Sequence, residues 1–275
     1  PKIISLLIGL LNSFFVGFFY LFVKKYYGRL TAIVSSLLLA FSPWMILFSR
    51  KIWAQDLLIP FIITLLFSLH KLIIDKKTKY WFIYTLSSLF LIQLHQASII
   101  LIAILTVFLI RKVRINIPYL LLGLILGILP MLPYFAYVLN NLWTDPSALI
   151  VNKERFAPVF YPEIFFRPLQ ILSQGNFRSI LGEDNLTFAN FFPFIYQFRK
   201  IFYLEYLLLP LGIILFWKNF KNLRLLVYGV LILPLVYFFL HFEPFIHYVL
   251  ILAPFLFLFL GYVLSFLYHQ KNKLI

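Results

Sequence analysis

The chain has 275 residues, 63% of them apolar and only 12% charged, with a formal net charge of +15. Soluble domains are about 45–50% apolar, so this composition excludes a single water-soluble core and indicates an integral membrane protein. Cysteine is absent, which excludes disulfide and thiol chemistry, and the basic residues sit in small groups between apolar runs, a pattern of membrane anchoring rather than nucleic-acid binding.

A membrane-crossing helix needs about 20 apolar residues. The first predicted helix covers 3–23 and ends at Lys24, Lys25 and, after Gly28, Arg29. The second covers 30–48 and runs into a stretch carrying Pro43, Trp44, Arg50, Lys51, Trp53 and Asp56. Ionisable side chains cost about 2.5–3.5 kcal/mol each at the centre of a membrane helix, so this stretch belongs at a membrane edge. The third helix covers 57–74, and Asp75, Lys76, Lys77 and Lys79 follow it.

Residues 80–110 are apolar except for Gln93-Leu94-His95-Gln96, and basic groups bound them on both sides. One long helix would put those groups on opposite membrane faces. Two short helices turning at 93–96 put them on the same face, so the pattern predicts a recessed hairpin. Residues 117–139 form the next span, with Pro118, Pro130 and Pro133, tolerated where neighbours satisfy the freed carbonyls. Residues 140–200 contain no span-length apolar run and read as a long extracytoplasmic loop. Within it, 162–173 is expected to form a surface helix with Phe165, Phe166, Leu169 and Leu172 turned to lipid. Helices at 202–217, 225–240 and 248–268 close the chain.

The expected fold is therefore an all-α, polytopic transmembrane helix bundle of about nine membrane segments, including the short hairpin. It divides into an N-terminal membrane region (1–139), the long loop (140–200) and C-terminal membrane helices (201–275). Fourteen basic residues fall in loops on one face, which the positive-inside rule makes cytoplasmic. Eight of the nine acidic residues fall at or near the other face, and only Asp75 joins the basic loops. The chain begins Pro1-Lys2 without Met, so an N-terminal truncation is expected.

The order helix, Ser42-Pro43-Trp44, Phe48-Ser49-Arg50, then Asp56 entering the next helix, resembles the second outer loop of GT-C glycosyltransferases. These are multi-spanning enzymes of the protein O-mannosyltransferase and lipid A aminoarabinose transferase type. Gln93-Leu94-His95 looks like the family's half-length helix pair. His247-Tyr248, followed by Leu252-Ala253-Pro254, is similar to its last outer loop and helix. The resemblance covers most of the chain and is strongest over 24–111. It implies a multi-pass protein of the cytoplasmic (inner) membrane with an extracytoplasmic active face. It implies transfer of a sugar from a polyprenyl-phosphate donor to a lipid, glycan or protein acceptor. It also implies an essential acidic residue in the first outer loop, which in this reading precedes Pro1. The catalytic candidate present is then Asp56, matching the family's second acidic position, which can hold a divalent metal ion or orient the acceptor.

The leaving group of such a transfer is an anionic lipid phosphate, so cations or hydrogen-bond donors are required beside it. Arg50 offers a guanidinium fork matched to phosphate and Lys51 adds to it; the alternative is that both snorkel to headgroups. A carboxylate such as Asp56 is also favourable at a helix N-terminus by itself. In one continuous helix Arg50 and Asp56 would point about 240° apart, so a shared site requires a break between them. Gln93 and His95, at a recessed turn, read as phosphate or sugar contacts, or as groups that merely satisfy the turn. The spacing of His241, Glu243 and His247 invites a metal reading, but Pro244 interrupts it, and donor contacts by His247 and Tyr248 are the stronger reading. In the long loop, 152–155, Arg167, Arg178, Glu183 and Asp184 are candidates for the acceptor site, and Asn185-Leu186-Thr187 matches a glycosylation sequon. The rival function is a transporter or flippase of a lipid-linked saccharide. That class shows repeated halves and charges near the midplane, whereas this sequence shows no internal repeat and gathers its charges at the faces.

Overall fold

The computed structural model describes residues 2–49, 52–141, 160–172, 184–198, 200, 203–241 and 245–274, and among them every regular element is helical. Helix α1 (Lys2–Tyr27) turns at Gly28 into α2 (Arg29–Phe41). Gly28 has φ 90°, a region that glycine enters without a Cβ penalty. A short α3 (Pro43–Phe48) follows, then a 3-10 turn (Ala54–Leu57) leading into α4 (Leu58–Ile73). Helices α5 (Trp81–Leu94) and α6 (Ser98–Ile110) form an antiparallel hairpin whose turn falls at the polar cluster. Next come α7 (Ile117–Ile128), a 3-10 turn (Leu129–Met131) and α8 (Leu132–Asn141).

The second half holds a 3-10 turn (Pro162–Phe165), α9 (Arg167–Leu172), α10 (Asn185–Phe191) and α11 (Pro193–Phe198). Helices α12 (Leu204–Asn219) and α13 (Arg224–Phe239) return across the bundle. The chain closes with α14 (Ile246–Val249), a 3-10 turn (Leu250–Leu252) and α15 (Ala253–Leu274).

Among the described residues, five helical stretches are long and apolar enough to cross a membrane, against the nine segments expected: Lys2–Tyr27, Ala54–Ile73, Ile117–Asn140, Lys221–Phe239 and Ile246–Lys271. The expected single helix over 30–48 is broken. Ser42 precedes Pro43, whose ring disfavours helical backbone in the residue before it, and Ser42 is extended (φ −61°, ψ 123°). That leaves α2 only 13 residues long. The last outer loop and helix are likewise segmented, with α14 and a 3-10 turn preceding α15.

Helix α4 and the start of α15 form the centre of the bundle. Leu58, Ile62, Leu66 and Leu69 of α4, and Phe255 through Leu260 of α15, are completely buried. Helix α7 lies at the periphery and meets α5 through small residues. A Cβ added at Gly123 would lie 2.7 Å from the carbonyl oxygen of Phe82. Close backbone approach at small residues is how membrane helices associate where no hydrophobic force drives them together.

The basic loops share one end. Lys71 and Lys25 place their ammonium groups 2.8 and 3.0 Å from Asp75 Oδ2, and the Tyr26 hydroxyl donates to the same oxygen. Lys112 Nζ donates to the carbonyls of Lys221 and Asn222 at 3.2 and 2.9 Å. Trp81 Nε1 donates to the carbonyl of Arg114 at 3.0 Å, and Asn116 Nδ2 to Thr78 Oγ1 at 3.2 Å. Desolvation works to raise the pKa of Asp75, but the hydrogen bonds from Lys71, Lys25 and Tyr26 outweigh it and hold the carboxyl well below the usual range.

The expected lipid-facing helix at 162–173 is corrected. The segment is a 3-10 turn followed by α9, and it docks on the bundle. Ile164, Ile171 and Leu172 are fully buried, while Phe165 and Phe166 remain exposed. Trp44 Nε1 donates to the carbonyl of Gln170 at 3.1 Å, which fixes α9 over α3. Leu172 therefore packs into protein, because the backbone groups of this segment find donors on the bundle instead of facing water.

Candidate functional site

The end opposite the basic loops brings together residues from both halves of the chain. Helix α5 stops because His95 is extended (φ −159°, ψ 117°). The turn then closes through Ser98 N–H to the His95 carbonyl at 2.9 Å and Ile99 N–H to the Gln96 carbonyl at 3.0 Å. The backbone N–H of Ala97 donates to His95 Nδ1 at 3.2 Å. An imidazole nitrogen that accepts carries no proton, so the neutral ring holds its proton on Nε2 and presents a donor there. The hydroxyl of Tyr237, from α13, donates to the Ala97 carbonyl at 2.9 Å and ties the hairpin turn to the C-terminal half.

Facing this turn is the start of the last membrane segment. Phe245 is extended (φ −65°, ψ 138°) and α14 begins at Ile246, which swings His247 and Tyr248 over His95. The His95 and His247 rings meet edge to face with centroids 5.4 Å apart, and His95 and Tyr248 lie at 5.2 Å. Phe245 stacks on His247 at 5.5 Å. Trp53 approaches His247 from the chain between α3 and α4, at 6.4 Å. The cluster is graded, with His95 buried, His247 and Tyr248 half-buried, and Trp53 exposed. It offers imidazole nitrogens as donors or acceptors beside aromatic faces, a combination suited to a sugar or an anionic oxygen.

Asp56 belongs to the framework below the cluster. It is 1% exposed. Its Oδ2 accepts the backbone N–H of Trp53 at 2.6 Å, and its backbone carbonyl accepts Asn12 Nδ2 from α1 at 3.0 Å. A side-chain acceptor at the start of a helical turn satisfies a donor that has no partner along the helix. The carboxylate thereby fixes the backbone of Trp53, whose indole meets His247. The chain is extended at Trp53 (φ −126°, ψ 152°), so helix does not continue through to Asp56. Arg50 and Lys51 lie outside the described residues, as do Glu243, Arg178, Glu183 and residues 152–155.

Gln93 turns away from the imidazoles. Its Nε2 donates to the carbonyl of Gly127 at 2.7 Å and to that of Leu89 at 3.2 Å, pinning the hairpin to α7. Arg167 spends Nη1 on Gln170 Oε1 at 2.7 Å. Among the described residues no three His, Cys, Asp or Glu side chains gather to hold a metal ion. Asp56 commits Oδ2 to the Trp53 N–H, which leaves Oδ1 as the oxygen that could face a ligand.

Two participants are absent from the sequence-derived candidates. Tyr237 is one of many aromatics in an apolar helix. Asn12 is a lone amide in an apolar span, where an unpaired polar group is costly, and that cost was the clue to a partner.

The fold and this site define a multi-spanning helical membrane protein with a histidine and aromatic cluster at the end remote from its basic loops. Residues 2–137 match the family model described as Dolichyl-phosphate-mannose-protein mannosyltransferase. The matched half includes Asp56 and His95 and ends before His247 and Tyr248. The match supports a membrane glycosyltransferase of GT-C type, mannosyltransferase-like, and does not favour the transporter alternative. No curated protein and no solved structure matches the chain.

Proposed function

We propose that the chain transfers a sugar from a polyprenyl-phosphate donor to a hydroxyl of a lipid, glycan or protein acceptor, at the cluster of Trp53, His95, His247 and Tyr248. The observation that carries this reading is the meeting of His95, from the family-matched half, with His247, from the C-terminal half. In the reaction the bond between the anomeric carbon and the phosphate oxygen breaks. The bond from that carbon to the acceptor oxygen forms, and the acceptor proton passes to a base. Negative charge grows on the departing phosphate, and donors aimed at it lower the barrier. The Nε2–H of His95 supplies one such donor. Arg50 and Lys51, next in sequence to this end of α3, are the proposed cations for the phosphate. Trp53 and Tyr248 offer aromatic faces to the sugar. Asp56 acts here by positioning Trp53, and its proposed role as a base or metal ligand is the competing assignment. The basic end is proposed to be cytoplasmic, which makes the site extracytoplasmic on the inner membrane.

The test uses the chain in membranes with radiolabelled polyprenyl-phosphate sugars. Label released from the lipid by the wild type, and lost in Arg50→Ala and His95→Asn at equal expression, supports transfer. Intact donor that only changes leaflet sinks the enzyme reading in favour of a flippase. Asp56→Asn retains an acceptor for Trp53 N–H. Activity near wild type in that variant supports positioning, and near-complete loss with unchanged unfolding supports a base.

A further inference from the structure

At the basic end, the surface between α5 and α7 holds a groove of about 230 Å³ lined by Lys79, Tyr80, Phe82, Ile83, Tyr119 and Leu122. Its origin is visible in the packing. The two helices press together at Gly123 and Gly127, where added Cβ atoms would collide with α5. Between that contact and the loops they leave space. Lys79, Tyr119 and Leu122 are exposed along the groove, and Phe82 and Ile83 form its partly buried wall. Lys79, Tyr80 and Tyr119 lie at the loop-ward ends of the two helices, and Phe82, Ile83 and Leu122 lie further along them. Interfacial tyrosines and lysines are the side chains expected at headgroup depth.

The charge around the mouth is of one sign. Lys79 lines the groove, and Lys76, Lys77, Arg111 and Arg114 in the adjoining loops are all exposed. Asp75, the acidic residue of this end, is engaged by Lys71 and Lys25. Ordinary neutral lipid would leave this field unmatched, whereas an anionic headgroup complements it. We infer that this groove holds one anionic glycerophospholipid of the leaflet that meets the basic loops, its headgroup phosphate at Lys79 and an acyl chain along Ile83 and Leu122. Such a lipid would occupy the gap between α7 and the hairpin that carries His95. The inference stands apart from the transfer reaction and does not rest on it.

The test takes the full chain, delipidated in detergent, and adds dioleoyl phosphatidylglycerol or dioleoyl phosphatidylcholine, with retained lipid counted by native mass spectrometry. Wild type is expected to retain phosphatidylglycerol about five-fold more tightly than phosphatidylcholine, the factor one basic side chain contributes near an anionic surface. Lys79→Ala is expected to weaken that preference, and an unchanged preference in this variant overturns the inference. Leu122→Trp, at a position already 45% exposed, fills the groove and is expected to remove both lipids without a change in unfolding temperature. Equal retention of the two lipids by the wild type overturns the inference. So does undiminished retention by Leu122→Trp, or tighter retention of polyprenyl phosphate than of phosphatidylglycerol.

Discussion

His95 and His247 meet edge to face with ring centroids 5.4 Å apart, one at the tip of the hairpin and the other at the start of the last membrane segment. Each is replaceable in a way that separates chemistry from packing. Asn at 95 can accept the Ala97 N–H through an Asx-turn, so His95→Asn keeps the turn and removes the imidazole. Phe at 247 keeps a ring against Phe245 and Tyr248 and removes both nitrogens. Sugar release is expected to fall about 10²–10³-fold in each variant, the cost typical of losing one donor at a developing oxyanion. Unfolding temperatures are expected to stay near wild type. Activity retained by both variants would reduce the pair to packing.

The Asp75 cluster sets a pH dependence for stability. Its carboxyl is held below the usual range in the fold. A group with a depressed folded pKa stabilises fully above its unfolded pKa, about 4, and the contribution disappears as pH falls through the lower folded value. Stability is therefore expected to fall on acidification below about pH 4, and this component is expected to be missing in Asp75→Asn. At neutral pH that variant leaves Lys71, only 10% exposed, without its anion. The expected loss is about 1 kcal/mol, a charge-assisted hydrogen bond discounted for partial exposure. Thermal unfolding in detergent across pH, wild type against Asp75→Asn, checks both statements.

Trp44 anchors α9 through a single hydrogen bond to the Gln170 carbonyl. Trp44→Phe keeps an aromatic ring and removes the donor. The expected cost is about 1 kcal/mol, confined to the 160–172 segment, so proteolysis there is expected to quicken while global unfolding stays put. A uniform loss of stability, with no local change in cleavage, would contradict this view of α9 as a separately docked piece.

The sequence carried the large-scale plan because the membrane imposes it. Runs such as 58–69 and 253–264 are largely buried and carry no charge, so many helix positions and the common end of the basic loops could be read directly. The hairpin turn at His95 was legible for the same reason, since polar groups in a recessed position need a purpose. Boundaries set by local backbone chemistry were less visible. Ser42-Pro43 splits one apolar run into two helices at a dip of only two residues. Side-chain direction was invisible too. Gln93 and His95 are two residues apart, and nothing in their identity tells that one bonds to Gly127 and the other meets His247. Leu172 looked like a lipid contact because composition cannot distinguish lipid from the interior of a protein.

The α5–α7 contact makes the position of the hairpin depend on two glycines with different neighbours. A Cβ at Gly123 would lie 2.7 Å from a backbone carbonyl, that of Phe82, and 2.9 Å from Thr85 Cβ. A Cβ at Gly127 would instead overlap the side chain of Leu89, with its Cβ at 2.9 Å. Alanine gains up to about 1 kcal/mol over glycine in helix propensity, but overpacking costs about 1–3 kcal/mol, so both Gly→Ala changes are expected to destabilise. Only the second can be relieved, in part, by shortening a neighbour, since Leu89→Ala removes the Cδ1 and Cγ contacts and keeps the Cβ contact at 2.9 Å. Gly127→Ala combined with Leu89→Ala is expected to be less destabilising than the separate effects added together, which signals direct coupling. Gly123→Ala has no such rescue, because the Phe82 carbonyl cannot be removed. Displacing α7 also strains the bond from Gln93 to Gly127, and through α5 it moves His95. Sugar release is therefore expected to fall in Gly123→Ala by more than its population of unfolded protein explains. Thermal unfolding and release assays on the two single variants and the double variant decide this. Additive behaviour of Gly127→Ala with Leu89→Ala, together with full activity in Gly123→Ala, would show that α7 does not position the hairpin.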